Sequence, residues 1–107
     1  MNLLFICSRN QWRSPTAEAI YKNHPHIQAR SAGTEPSARI KLTAKLLAWA
    51  DLIFVMEKKH KQRIQERFIA ELTDKEIIIL HIPDEYPYMD QELMEDIETK
   101  VNSFLGL

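Results

Sequence analysis

A single-domain α/β fold, with a four-stranded parallel sheet and helices on both faces, follows from three features of this 107-residue sequence. Apolar runs of strand length alternate with segments of helical spacing four times, the order that gives parallel strands joined by right-handed crossovers. The run DLIFVM at 51–56 is apolar throughout, as expected of a strand covered on both faces. The length suits one core of two or three layers, so residues 1–107 form one domain.

The elements follow in order. NLLFI (2–6) is a short buried strand bounded by polar residues. A helix starts next, with Ser14 as N-cap and Pro15 at the first helical position, and runs through TAEAIYKN until Pro25 interrupts it. HIQARSAGT supplies a second strand ending at Gly33, and 35–40 is a loop. KLTAKLLAWA is a short helix with Leu42, Leu46 and Leu47 on one side and Trp49 in the core. After the strand at 51–56, Ile64, Phe68 and Leu72 recur at steps of four, predicting a helix from Lys58 to about Leu72. EIIIL (76–80) is the fourth strand, and HIPDEYPYMD a loop. Asp90 caps a last helix that buries Leu93, Ile97, Val101 and Phe104.

Composition excludes several classes of function. With 45% hydrophobic and 27% charged residues and a net charge of −1, no overall field recruits nucleic acid or an anionic membrane. One cysteine excludes an internal disulfide and any multi-cysteine zinc site. His24 and His26 have no acidic or thiol neighbour that would complete a metal site, so no metal or other cofactor is expected. The first residues lack a basic leader, and no window approaches a membrane span, so the expected location is the cytoplasm. KKHKQR (58–63) reads as a solvated helix face, partly offset by Glu57 and Glu66.

The chemistry concentrates at the carboxyl ends of the strands, where such sheets place their sites; residues 7–13 and 82–88 both fall there. A loop between a buried strand and a helix start is an anion site. Its backbone N–H groups turn inward as a nest, and the helix N-terminus adds partial positive charge. Ser8, Arg9, Asn10, Gln11 and Trp12 form that loop, and Arg13 at its end can fork two N–H bonds onto a phosphate or sulfate. The same field favours a thiolate at Cys7, to which Ser14 can donate its hydroxyl. Asn10 tolerates a left-handed backbone in mid-loop. The plainer reading of Cys7 is a small apolar plug, and a bare C-x5-R is a weak signal; the strand before it, the helix after it, Asn10 and Ser14 make it specific.

FICSRNQWRSPTAEAIY (5–21) resembles the phosphate loop of the low-molecular-weight protein tyrosine phosphatases, whose pattern is C-x-x-N-x-x-R-S-P-x-A-E. RSAGT (30–34) is similar to that family's second strand and turn, ADLIFVME (50–57) to its third strand, and IPDEY (82–86) to its Asp-Pro-Tyr general-acid loop. The matches run in family order over most of the chain. The resemblance implies the family's phosphotyrosine phosphatase I-like fold and a cysteinyl-phosphate mechanism. It makes Cys7 the nucleophile, Arg13 the phosphate clamp, Asn10 the loop organiser and Ser14 the hydrogen-bond partner of the thiolate. Four departures bear on substrate preference. Arg9 stands where the family has glycine, and Trp12 where it often has a second cysteine. Asp-Pro-Tyr reads Asp84-Glu85-Tyr86, and the segment between SAGT and ADLIFVM is much shorter.

A general acid must protonate the leaving oxygen, help worth about 10²–10⁴ in rate. Asp84 lies nearer the end of the fourth strand than Asp90 and takes that role; Glu85 is its weaker rival, and a plain turn after Pro83 the alternative for Asp84. Tyr86 and Tyr88 can wall the slot for an aromatic ring. The expected function is therefore a metal-independent cysteine phosphatase for aryl phosphate monoesters, with protein phosphotyrosine as the substrate the resemblance implies. Its expected ligands are phosphorylated proteins, small aryl phosphates, and phosphate, sulfate or vanadate. Three rivals remain: a phosphopeptide-binding module with little turnover, an arsenate reductase borrowing an external thiol, and a phosphatase for phosphoserine or small metabolites.

Overall fold

The computed structural model describes residues 1–107. Four strands, β1 (Asn2–Cys7), β2 (Gln28–Gly33), β3 (Leu52–Val55) and β4 (Ile77–Ile79), alternate with four helices, α1 (Arg13–Tyr21), α2 (Ala44–Trp49), α3 (Lys58–Arg67) and α4 (Gln91–Leu105). The strands form one parallel sheet in the order β2-β1-β3-β4. The chain reverses its direction of travel across the sheet after β2, so the crevice of such an open sheet opens beyond Cys7, the last residue of β1.

β1 is central, and its alternation divides the core. Leu3, Phe5 and Cys7 join Phe54, Met56 and the inner faces of α1 and α4 in one apolar cluster. Leu4 and Ile6 join Ile53, Val55, Leu47 and Ile64 beneath α2 and α3 in the other. Each large side chain so removed from water contributes about 1.5–3 kcal/mol. No helix is long and apolar enough to cross a membrane.

Several boundaries differ from the sequence reading. β1 takes in Cys7, and α1 begins at Arg13 with Trp12 as its capping residue. Ser14 does not cap: its hydroxyl is bonded to Cys7 and Asn10 instead. Pro15, at the third helical position, still occupies one of the places whose N–H has no helical partner. The expected helix at 41–50 begins at Ala44, where Thr43 Oγ1 accepts from Leu46 N. α3 stops at Arg67 because Phe68 leaves helical geometry (φ −130°), and Ile69–Leu72 continue as a 3-10 turn. Trp49 is half-buried at the rim, with the Arg30 guanidinium 4.5 Å over its ring. Phe104 meets Phe54 edge-on at 5.7 Å but stays exposed on its other side, because β4 beside it is an edge strand. Asp90 caps α4, accepting from Leu93 N at 3.1 Å.

One glycine is required by close approach. A Cβ on Gly33 would lie 2.5 Å from Ser8 O and 2.7 Å from Ala38 Cβ. Gly33 lets the 34–39 loop fold against the 7–13 loop, where Glu35 N donates to Ser8 O and Arg39 N to Arg9 O. The short segment between β2 and β3 thus buttresses the cysteine loop directly.

Candidate active site

Beyond the end of β1, the chain turns through Ser8–Trp12 and enters α1 at Arg13. The turn depends on Asn10, which is fully buried with φ 57°. This left-handed geometry is tolerated best by glycine and asparagine. Asn10 Nδ2 donates to Ser14 Oγ at 2.8 Å and to Ser31 Oγ at 2.9 Å. Ser31 Oγ in turn donates to Glu18 Oε1 at 2.6 Å. Loop, α1 and β2 are thereby tied through one amide.

Cys7 Sγ lies 2.9 Å from Ser14 Oγ. Since Asn10 Nδ2 donates to that oxygen, the one Ser14 proton is available to the sulfur at 2.9 Å or to Ala32 O at 3.4 Å, the sulfur being the nearer. Arg13 is 2% exposed and directs Nη1 to Glu57 Oε2 at 2.7 Å and to Ile82 O at 2.8 Å. Its Nε is 3.7 Å from Asp84 Oδ1. The guanidinium therefore bridges the loops after β1, β3 and β4. Burial pulls the Glu57 carboxyl upward, but the hydrogen bond and charge of Arg13 outweigh it and leave the group below the usual carboxylate range.

A cavity of about 270 Å³ opens over this loop. Cys7, Ser8, Arg13 and Asp84 line its depth and wall; Arg9, Gln11, Trp12, Glu35 and Lys59 complete it. Trp12 is its sole aromatic lining residue and is 46% exposed. Glu35 is bound to Arg63 at 2.5 Å, and that hydrogen bond holds its carboxyl below the ordinary value. Arg9 has no carboxylate within 4 Å.

Among the residues singled out from the sequence, Cys7, Ser8, Arg9, Gln11, Trp12, Arg13 and Asp84 line this one cavity, with Asn10 and Ser14 packed behind it. Tyr86 and Tyr88 do not line it. Tyr86 packs against the apolar cluster beneath α1 and α4. Its phenol is shifted upward, chiefly by the charge of Glu92. Tyr88 sits beside Gln11 and Arg39 in a separate depression. A larger open depression of about 760 Å³, beside Ile69 and Leu72, contains no cysteine. Sequence reasoning passed over Glu57 and His60. His60 lay in a run read as a solvated helix face and Glu57 was read only as offsetting its charge, yet Glu57 anchors Arg13 and His60 is fully buried against Ser8. The signal available was the apolar strand ending just before Glu57, which puts the first turn of α3 at the same sheet edge as Cys7.

The sequence and the fold have counterparts among known proteins. No family model matches the chain. It is 30% identical to the protein-arginine-phosphatase of Bacillus subtilis, over 64% of this chain and 63% of that protein's length. It is 30% identical to the low molecular weight protein-tyrosine-phosphatase Wzb of Escherichia coli, over 79% of this chain and 78% of that protein. The crystal structure of the tyrosine phosphatase Wzb from Escherichia coli K30 in complex with phosphate superposes with a TM-score of 0.77 at 22% identity, over 98% of this chain and 96% of that one.

Proposed function

Because the chain belongs to the low-molecular-weight protein-tyrosine-phosphatase family, we propose that it hydrolyses phosphate monoesters of phenols, protein phosphotyrosine foremost, through a cysteinyl phosphate. The supporting observation is the bonded set Cys7–Ser14–Asn10 beside a buried Arg13 that reaches toward Asp84. In the first step the Cys7 thiolate attacks phosphorus in line. An S–P bond forms and the ester P–O bond breaks, while Asp84 gives its proton to the leaving phenolate oxygen. Loop N–H groups and Arg13 hold the three remaining oxygens as charge redistributes. In the second step water attacks phosphorus, its proton passes to Asp84, and the S–P bond breaks to release phosphate and regenerate the thiolate. Ser14 steadies the sulfur in both directions.

Phosphoarginine is a second reading. The cavity wall carries Glu35 and Asp84 with only one aromatic side chain, an arrangement suited to a polar leaving group, and one relative is named as an arginine phosphatase. The test is turnover of p-nitrophenyl phosphate and of peptides carrying phosphotyrosine, phosphoserine or phosphoarginine, by wild type and Cys7→Ser. The reading expects Cys7-dependent turnover, fastest for the aryl esters. Phosphate binding without turnover by the wild type would leave a binding module, and preference for phosphoarginine would select the second reading.

A further inference from the structure

The first turn of α3 holds the cysteine loop at both ends. Just before the helix, Glu57 accepts from Arg13 at the loop's end; three residues on, His60 Nε2 lies 2.9 Å from Ser8 Oγ at its beginning. The direction of this second bond is fixed by the helix itself. His60 Nδ1 accepts the backbone N–H of Glu57 at 3.0 Å and so carries no proton. A neutral ring then has its proton on Nε2, making the ring the donor and Ser8 Oγ the acceptor. A doubly protonated ring would set Nδ1–H against the Glu57 N–H, two donors facing one another.

The surroundings keep the ring neutral. Burial and the charge of Arg13 lower His60 to about 4, assisted by Lys59 and Arg63 and opposed only by Glu57. No other protein group hydrogen-bonds to Ser8 Oγ, and Ser8 lines the cavity together with Cys7. Its hydroxyl, already accepting from His60, has one proton left to give and the cavity to give it to.

We propose that His60 is a positioning residue for phosphate binding: by donating to Ser8 Oγ it commits the Ser8 hydroxyl to act as a donor toward a phosphate oxygen held in the 7–13 loop. The inference rests on the phosphatase reading. It also identifies the preferred ligand form, since a hydroxyl committed as donor favours a fully deprotonated phosphate oxygen over a P–OH.

Two substitutions separate the halves of the ring. His60→Gln retains a donor at the reach of Nε2, whereas His60→Asn retains an acceptor for the Glu57 N–H but no donor for Ser8. Binding of inorganic phosphate, followed by chemical-shift titration, and kcat/KM on p-nitrophenyl phosphate are the readouts, with thermal unfolding as the folding control. His60→Asn and Ser8→Ala should each weaken phosphate binding about tenfold, the value of one lost hydrogen bond. Their double variant should be no worse than either single, and His60→Gln should recover most of the loss. Independently of any variant, ¹⁵N–¹H spectra of the wild type should show the His60 proton on Nε2 from neutral pH down to about 5. A proton on Nδ1, multiplicative losses in the double variant, or equal losses for Gln and Asn would overturn the proposal. Absence of Cys7-dependent turnover in the wild type would overturn the phosphatase reading instead, leaving the binding and tautomer measurements to decide the role of His60.

Discussion

The two loops that meet at the cavity are built to opposite specifications. From the end of β1 through the loop into α1, Cys7, Asn10, Arg13 and Ser14 are at most 3% exposed and bonded to one another or to neighbouring elements. In the loop after β4, Asp84 is 54% exposed, and Pro83, Glu85, Pro87, Tyr88 and Met89 are exposed as well. That second loop is tied down at its ends, where Ile82 N donates to Met56 O and Met89 N to Thr16 Oγ1. The difference suits the two tasks proposed for these loops. An anion must meet donors already in place, because reorganising dipoles during the reaction forfeits the stabilisation. A general acid must reach a leaving group whose shape varies and must then turn to water, so it belongs on a surface loop.

This contrast makes substitutions in the two loops behave differently. The largest effect is expected from Arg13→Ala, which removes the proposed phosphate clamp and strands Glu57. Turnover of p-nitrophenyl phosphate should fall by about 10³-fold or more, and stability by about 1–3 kcal/mol in urea unfolding, because a half-buried carboxylate loses its partner. Loss of activity with stability untouched would mean that Glu57 finds another partner and the cradle is less interdependent than drawn. Next in size is Asp84→Asn. We expect kcat to drop about 10²-fold for an alkyl or unactivated aryl phosphate, much less for p-nitrophenyl phosphate, and Tm to stay within a degree or two. Equal losses on both esters would remove Asp84 from the acid role.

A third substitution isolates the scaffold. Asn10→Ala deletes the bonds to Ser14 and Ser31 and forces alanine into φ 57°, at a combined cost of about 2–4 kcal/mol. Asn10→Gly removes the same bonds without the backbone strain, so the gap between the two variants measures how much of the turn's cost is conformational. The smallest effect is on pH dependence. His60 titrates near 4 in the folded chain against 6.5 unfolded, so between those values the unfolded chain holds the extra proton. Stability should therefore fall as pH drops from about 6.5 to 4, by no more than about tenfold in the folding constant per unit from this group. Glu57, shifted below its ordinary value, adds a loss of the same sign below about 4.5. His60→Gln should flatten the upper part of that profile, and an unchanged profile would show that the ring is not held neutral.

The order of strands and helices was legible in the sequence because it rests on local patterning: unbroken apolar runs, a Pro after a Ser, an Asp before an amphipathic segment. Cys7, Asn10, Arg13 and Ser14 were legible for the same reason, lying within eight consecutive residues whose mutual geometry is fixed by one turn and the start of one helix. Boundaries were less so: Ser14 has the side chain of a cap, but its hydroxyl is taken by a sulfur and an amide that only the folded loop brings near.

The tertiary structure alone decided what stands around that loop. Glu57 and His60 are 44 and 52 residues from their partners Arg13 and Ser8, and no periodicity within KKHKQR distinguishes a buried histidine from its solvated neighbours. Tyr86 turned inward to an apolar cluster and Trp12 outward to the cavity mouth, choices set by which side chains compete for the same space across different elements. Sequence determines what a segment can do by itself; the packing of β1 between β2 and β3 determines which groups from other segments converge on it, because parallel crossovers bring the ends of distant strands to one edge.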